Sequence, residues 1–286
     1  MTKVSLNGNI MPKDACMIPI TSSSAMYGLN VFEGFRGYRN EKGIYILGWS
    51  QHIRRFRDSI DLLALSCEVD EEKILKTIRE LLRENNVQGG FSVKVAAMGI
   101  GDSWSHDETV LYVSASESGV WWLDDKLPSL TFSDVFRIED NSLSPRIKCG
   151  ANYMNGRMPL RKAQSCGFDY PVLCDDKGIV AEGPGASLIY MKNGSYFTTR
   201  PVDSVLQSIT LDYVESLLRN KGITLKRVKT LKTDLLLADS IWLVGSRVEL
   251  TPVSSIEHMK KTVDWSLVKL YRESLLNIDL EWQYYL

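Results

Sequence analysis

The stretch Lys148-Cys149-Gly150-Ala151-Asn152-Tyr153, followed further on by Val180-Ala181-Glu182-Gly183-Pro184-Gly185, decides how this chain is read. It brings together an amine, a phenol and, at the end of an apolar run, an acid. That set suits an aldehyde cofactor built on a pyridine ring, such as pyridoxal 5'-phosphate (PLP). A lysine amine condenses with an aldehyde to a Schiff base. An acid pairs with the ring nitrogen and keeps it protonated, so that the ring accepts electrons. A phenol hydrogen-bonds the ring oxygen. Residue types alone do not single out Lys148, because Lys and Arg together number 34 and lysines are ordinarily solvated surface groups. Glu182 by itself equally suits an exposed acid at a strand end.

Composition narrows the class. A chain of 286 residues can bury a large core in one or two domains. Its 44% hydrophobic and 24% charged residues are ordinary for a soluble globular protein. A net charge of −1 gives no electrostatic reason to expect nucleic acid or an anionic membrane. The cysteines Cys16, Cys67, Cys149, Cys166 and Cys174 are odd in number and lack C-x-x-C spacing, against a disulfide framework or a zinc site. His52, His106 and His258 lie far apart, so no metal-ligand set emerges. Met1 to Gly8 lacks the apolar run of a signal peptide. No stretch reaches the ~20 apolar residues of a membrane helix. The expectation is a reduced, cytoplasmic, soluble protein with small-molecule partners.

Local patterns give the elements. Asn7-Gly8 and Asn193-Gly194 predict hairpin turns, because both residue types tolerate positive φ. Strands are expected over 31–38, 44–47, 91–98, 109–115, 170–174, 179–182, 188–191, 196–198, 223–228 and 240–244. A helix is expected from Ser50, with Ile53, Phe56, Ile60, Leu63 and Ala64 as its apolar face. Others are expected from Asp70 to Asn86, over 155–165, after Ser208, and over 263–276. Gly167 and Gly222 read as helix stops.

The Lys148–Asn155 segment, with Arg157 and the helical run 158–163 behind it, resembles the lysine segment of branched-chain aminotransferases. Val180–Gly185 resembles their cofactor-acid segment. Val31-Phe32-Glu33-Gly34-Phe35-Arg36-Gly37-Tyr38 is similar to a third segment of that family, and the likeness covers nearly the whole chain. The resemblance implies an α/β (α+β two-domain) protein with the fold of the fold-type-IV PLP enzymes. The expected division is a small N-terminal α/β domain over 1–118, a linker over 119–128 and a larger PLP-binding domain over 129–286. Trp121 or Trp122 in that linker is a candidate lid.

The same resemblance implies roles. Lys148 would carry PLP and move the substrate proton, Tyr153 would bond the ring oxygen, and Glu182 the ring nitrogen. Arg55, Ile209, Thr210 and Ser246 would grip the phosphate. A guanidinium suits phosphate by its planar fork, and a helix N-terminus by its unpaired N–H groups. Tyr27, Phe32 and Arg36 would line or lie near the substrate pocket. Ser92, Lys94, Ser187 and Arg247 depart from the family pattern. Arg247 stands where a small residue is usual, and a guanidinium there would select a substrate with an extra acidic group. The activity implied is amino transfer from an amino acid, branched-chain or related and of L form, to a 2-oxo acid by a homodimer. D-amino acid aminotransferase and aminodeoxychorismate lyase chemistry are alternatives on the same fold. A PLP-free binding protein is another, opposed by the presence of both Lys148 and Glu182.

Overall fold

The computed structural model describes residues 2–103, 108–119, 127–202 and 204–286. Trp121 and Trp122 lie outside the described residues. The chain divides into two compact units, Met1–Val120 with Ile147–Ala151 and Leu276–Leu286, and Trp121–Arg146 with Asn152–Leu275. This differs from the expected division along the chain, and strand pairing is the reason. The Phe32 N–H donates to the Lys148 carbonyl at 2.9 Å and Val31 bridges Cys149, which takes the lysine segment into the first unit. Gln283–Tyr285 forms a strand there as well, paired with residues 45–47.

The first unit is built on one antiparallel sheet. Its strands are β1 (Lys3–Leu6), β2 (Asn9–Pro12), β3 (Asn30–Asn40), β4 (Gly43–Leu47), β5 (Phe91–Gly99), β6 (Thr109–Glu117) and the C-terminal strand. Their order across the sheet is C-terminal strand, β4, β3, β5, β6, β1, β2. Asn7, at φ 50°, and Gly8 turn β1 into β2 as the sequence predicts. Strand alternation sorts β3: Val31, Glu33 and Phe35 are buried on the face covered by α2 (Trp49–Leu62), where Phe35 meets Trp49 and His52. A short helix, α1 (Ser23–Tyr27), precedes β3, and α3 (Glu71–Glu84) packs on β6 and β1. Asp70 caps α3 by accepting from the Lys73 N–H at 3.0 Å. α2 begins one residue before the expected Ser50, capped by Gly48 in the left-handed region.

The second unit carries two sheets. β7 (Ser129–Phe132) and β8 (Tyr170–Val172) frame α4 (Gly150–Ser165) in sequence. There follow β9 (Ser187–Lys192), β10 (Ser195–Thr199), α5 (Ile209–Asn220), β11 (Leu225–Val228), α6 (Lys232–Leu236), β12 (Ser240–Gly245), β13 (Glu249–Pro252), β14 (Ser255–Ile256), β15 (Met259–Lys260) and α7 (Ser266–Leu276). One sheet runs β11-β10-β9-β12-β13 and the other β15-β14-β7-β8. Leu130, Val172, Leu188, Ile241, Leu243 and Ile256 belong to one buried cluster that joins the two sheets.

Two expectations give way here. α4 starts at Gly150 rather than 155, because the Asn30 side chain accepts from the Gly150 N–H at 3.1 Å and Asn152 donates to the Ser144 carbonyl at 2.8 Å. Residues 179–182 form no strand; they hold isolated bridges, Cys174 with Val180 and Ile179 with Leu231. Gly37 meets a close approach: a Cβ there would stand 2.1 Å from the ring of the buried, cross-strand Phe91. Gly37→Ala should therefore destabilise the protein by about 1–3 kcal/mol through overpacking, read as a lower urea midpoint with unchanged m value.

Candidate active site

In the first unit Lys148 is fixed by its backbone. Its N–H donates to the Ser59 hydroxyl of α2 at 3.1 Å, and its carbonyl is held by β3. The ammonium then stands 5.1 Å from the centroid of the Phe32 ring. Phe32, Gly34 and Arg36 share one face of β3, and β5 sets Ala96, Lys94 and Ser92 across from them. The Lys94 ammonium lies 5.7 Å from the same Phe32 ring, so two amines share one aromatic surface. Tyr27 is exposed at the end of α1. Arg36 is buried, and its guanidinium donates to the Ser92 hydroxyl at 3.3 Å, to the Ser118 hydroxyl and to the Gly119 carbonyl at 2.7 Å. It ties the chain leaving β6 to β3.

Arg55 is held by a buried acid that the sequence reading did not single out. Its Nε donates to Glu33 Oε2 at 2.8 Å and its Nη2 to Oε1 at 2.6 Å, a two-pronged pair. His52 Nδ1 stands 3.1 Å from the same Oε1. Burial alone would raise the Glu33 carboxyl, but the Arg55 guanidinium and His52 outweigh it and hold the group well below the usual carboxylate range. Burial pushes His52 below its ordinary value; Glu33 opposes this, while Arg55 and Lys148 push the same way. A signal for this cluster was present in the sequence. Strand alternation puts Glu33 between Val31 and Phe35 on the inward face, where a charge needs a partner.

In the second unit Glu182 is buried and doubly held. Arg137 Nε donates to its Oε1 at 2.9 Å, and the Leu206 N–H to its Oε2 at 3.3 Å. Arg137 Nη1 donates in turn to Asn155 Oδ1 at 3.2 Å, on the same helix as Tyr153. No pattern in the sequence pointed to Arg137. Gly185, at φ 74°, passes close to Tyr153, with 3.6 Å from its Cβ position to the ring. Ile209 and Thr210 open α5 behind the capping Ser208, whose hydroxyl accepts from the Leu211 N–H at 3.3 Å. The Thr210 hydroxyl lies 3.5 Å from that of Ser246, which follows β12. Arg247 is exposed in the turn between β12 and β13, and its charge acts on the Tyr170 phenol against the upward push of burial. A groove of about 460 Å³ in this unit, lined by Phe132, Asp134, Met158, Lys162 and Cys166 among others, includes none of these residues.

The donor sets fit PLP. A helix start flanked by two hydroxyls offers N–H and O–H groups to a phosphate. A buried, fixed carboxylate suits a protonated ring nitrogen. An amine on an aromatic surface suits an aldehyde. Among the described residues, no helix is long and apolar enough to cross a membrane.

Comparison with known proteins agrees with this chemistry. Residues 30–256 match the family described as amino-transferase class IV. The chain belongs to that family, and it is a PLP-dependent enzyme of amino-group transfer. It is 29% identical over 259 residues to a putative branched-chain-amino-acid aminotransferase of Methanocaldococcus jannaschii, covering 89% of this chain and 88% of that one. It is 26% identical over 259 residues to the branched-chain-amino-acid aminotransferase of Salmonella typhimurium, covering 88% and 84%. Among solved structures, the PLP form of the Thermobaculum terrenum branched-chain amino acid aminotransferase superposes with a TM-score of 0.89 at 28% identity, over 99% of this chain and 97% of that one. Another branched-chain amino acid aminotransferase, solved with pyridoxamine 5'-phosphate, gives a TM-score of 0.91 at 26% identity, over 99% and 98%.

Two consequences are measurable. The groups facing His52 are Glu33, Arg55 and Lys148, and the folded pKa values of both His52 and Glu33 lie below the unfolded ones. Their stability contribution is complete above the unfolded values and is lost as pH falls toward the folded ones. Stability should thus decline as pH drops below 6.5, from His52, and further below 4.5, from Glu33. His52→Asn, whose amide nitrogen replaces Nδ1, should flatten the upper part of that decline in urea unfolding curves. Separately, Arg137→Met should cost about 3–5 kcal/mol by leaving Glu182 buried without its cation, and adding Glu182→Gln should restore most of the loss.

Proposed function

We propose that this enzyme moves the amino group of a branched-chain or related L-amino acid to a 2-oxo acid, acting as a homodimer in the cytoplasm. The observation that carries the reading is the placement of Lys148. Its backbone is locked by Phe32 and Ser59, so its amine is presented on the Phe32 ring rather than left to solvent. The likeness to branched-chain aminotransferases of archaea and bacteria supports the substrate class.

When bound, the cofactor supplies an electron sink for the charge that develops at the substrate Cα. The chain's own residues do the rest. Lys148 Nζ would hold the aldehyde and, when free of it, would carry the proton from the substrate Cα, as general base, to the cofactor carbon, as acid. Glu182, fixed from both oxygens, would keep the ring nitrogen protonated. Tyr153 would donate to the ring oxygen. Arg55, the Ile209 and Thr210 N–H groups and Ser246 would orient the phosphate. Tyr27, Phe32 and Arg36 belong to the substrate side. Arg247 places an exposed guanidinium one residue after Ser246, and it gives the enzyme a preference for a substrate with a second acidic group.

The absorption spectrum of the purified enzyme, recorded with L- and D-amino acids in turn, tests this reading. A visible band from lysine-bound cofactor should be present, absent in Lys148→Ala, and bleached by L-leucine, L-isoleucine, L-valine or L-glutamate. Bleaching by D-amino acids alone would move the activity to the D-specific branch, and no band after adding PLP would refute it. Arg247→Ala should raise KM for acidic substrates about tenfold or more, as expected when a charged partner is lost, with little change for leucine.

A further inference from the structure

We propose that Glu33 is a positioning residue: it holds the Arg55 guanidinium in a fixed plane for the cofactor phosphate, and His52 steadies its carboxylate. The inference rests on the reading of Arg55 as a phosphate ligand. All three residues lie in the first unit, on β3 and α2.

The cluster is graded from core to surface. The Glu33 side chain is 0% exposed, that of His52 2% and that of Arg55 13%. A ligand arriving from outside therefore meets the guanidinium and neither of the groups behind it. Glu33 takes the Nε and Nη2 edge of Arg55, which fixes the plane and roll of the fork and turns the Nη1 side away from the acid. A guanidinium on an unsupported stem would lose its rotamer freedom on binding; here that freedom is given up during folding. His52 bonds the same Oε1 that receives Nη2, and its ring packs 4.9 Å from Phe35, so the carboxylate cannot swing. Stability alone is a poor reason for such a cluster. Desolvation offsets most of what a buried pair gains, and apolar side chains of the same volume would fill the site as well.

Geometry and charge predict opposite effects, which makes the proposal testable. As a charge, Glu33 repels a phosphate; as a support, it aims the donor that binds one. Glu33→Asp separates the two, because it keeps the charge and withdraws the carboxylate by one methylene. The readout is the ratio of dissociation constants for pyridoxal and PLP on the cofactor-stripped chain, measured by absorbance titration. That ratio isolates the phosphate's share of binding and is insensitive to a general loosening of the fold. Arg55→Met should lower the ratio about a hundredfold or more, as loss of a charge-assisted contact does. Glu33→Asp should lower it about tenfold, the scale of releasing one long side chain. In the Arg55→Met background Glu33→Asp should have no further effect.

An unchanged or increased ratio in Glu33→Asp would overturn the proposal, as would a decrease that persists without Arg55. If Arg55→Met itself leaves the ratio unchanged, the phosphate reading of Arg55 fails and Glu33 has nothing to position. Should Glu33→Asp not fold, Glu33→Gln provides the comparison: it keeps the side-chain length, removes the charge and loses one of the two prongs that hold Arg55. Support predicts a lower ratio in Glu33→Gln than in the unsubstituted protein, and an unchanged or higher ratio, the outcome of charge alone, would overturn the proposal.

Discussion

A carboxylate with no exposed surface, that of Glu33, constrains the first unit. Glu33 sits at an inward position of a strand, and such a charge persists only when paired and hydrogen-bonded. Arg55 and His52 meet that demand from α2, so the register of the helix on the sheet is tied to three polar atoms as well as to apolar packing. The same helix supplies Ser59, which receives the Lys148 N–H. The placement of the lysine thus depends on α2 sitting where Glu33 requires it. Structure and chemistry here share one element.

The second unit solves a similar problem differently. Glu182 lies in an irregular segment, where no ladder fixes the backbone on both sides. Its carboxylate is held by Arg137 and by a backbone N–H from the loop before α5, while Asn155 anchors the arginine on α4. An acid fixed in this way cannot reorient to solvate itself. That suits the role proposed for Glu182, facing one ring nitrogen, since preorganised charge costs no reorganisation during reaction. The groups proposed for the phosphate in this unit are backbone N–H and hydroxyl groups at a helix start, which carry no net charge.

Much of this was legible in the sequence, and what was missed has physical reasons. The hairpin turns at Asn7-Gly8 and Asn193-Gly194, the capped α3 and the alternation in β3 depend on local chemistry, and local chemistry reads directly. The start of α4 did not, because its first N–H is satisfied by Asn30, far away in the chain. The C-terminal strand at Gln283–Tyr285 is short and pairs with β4 across nearly the whole sequence, so no window could show it. At the proposed site, Lys148 and Glu182 were singled out through their segments. Arg137 was not, since its significance lies entirely in a partner 45 residues on. Glu33 was readable in principle: an acid on the apolar side of a strand announces an ion pair.

Reduction of the purified holoenzyme with borohydride, followed by peptide mapping, tests the central claim most directly. The reagent converts the lysine–cofactor linkage into a stable secondary amine, and the modified residue is then located by mass. The account predicts a phosphopyridoxyl group on the peptide carrying Lys148 and on no other. Its appearance on Lys94, the second ammonium at the Phe32 ring, or no incorporation at all, would contradict the account.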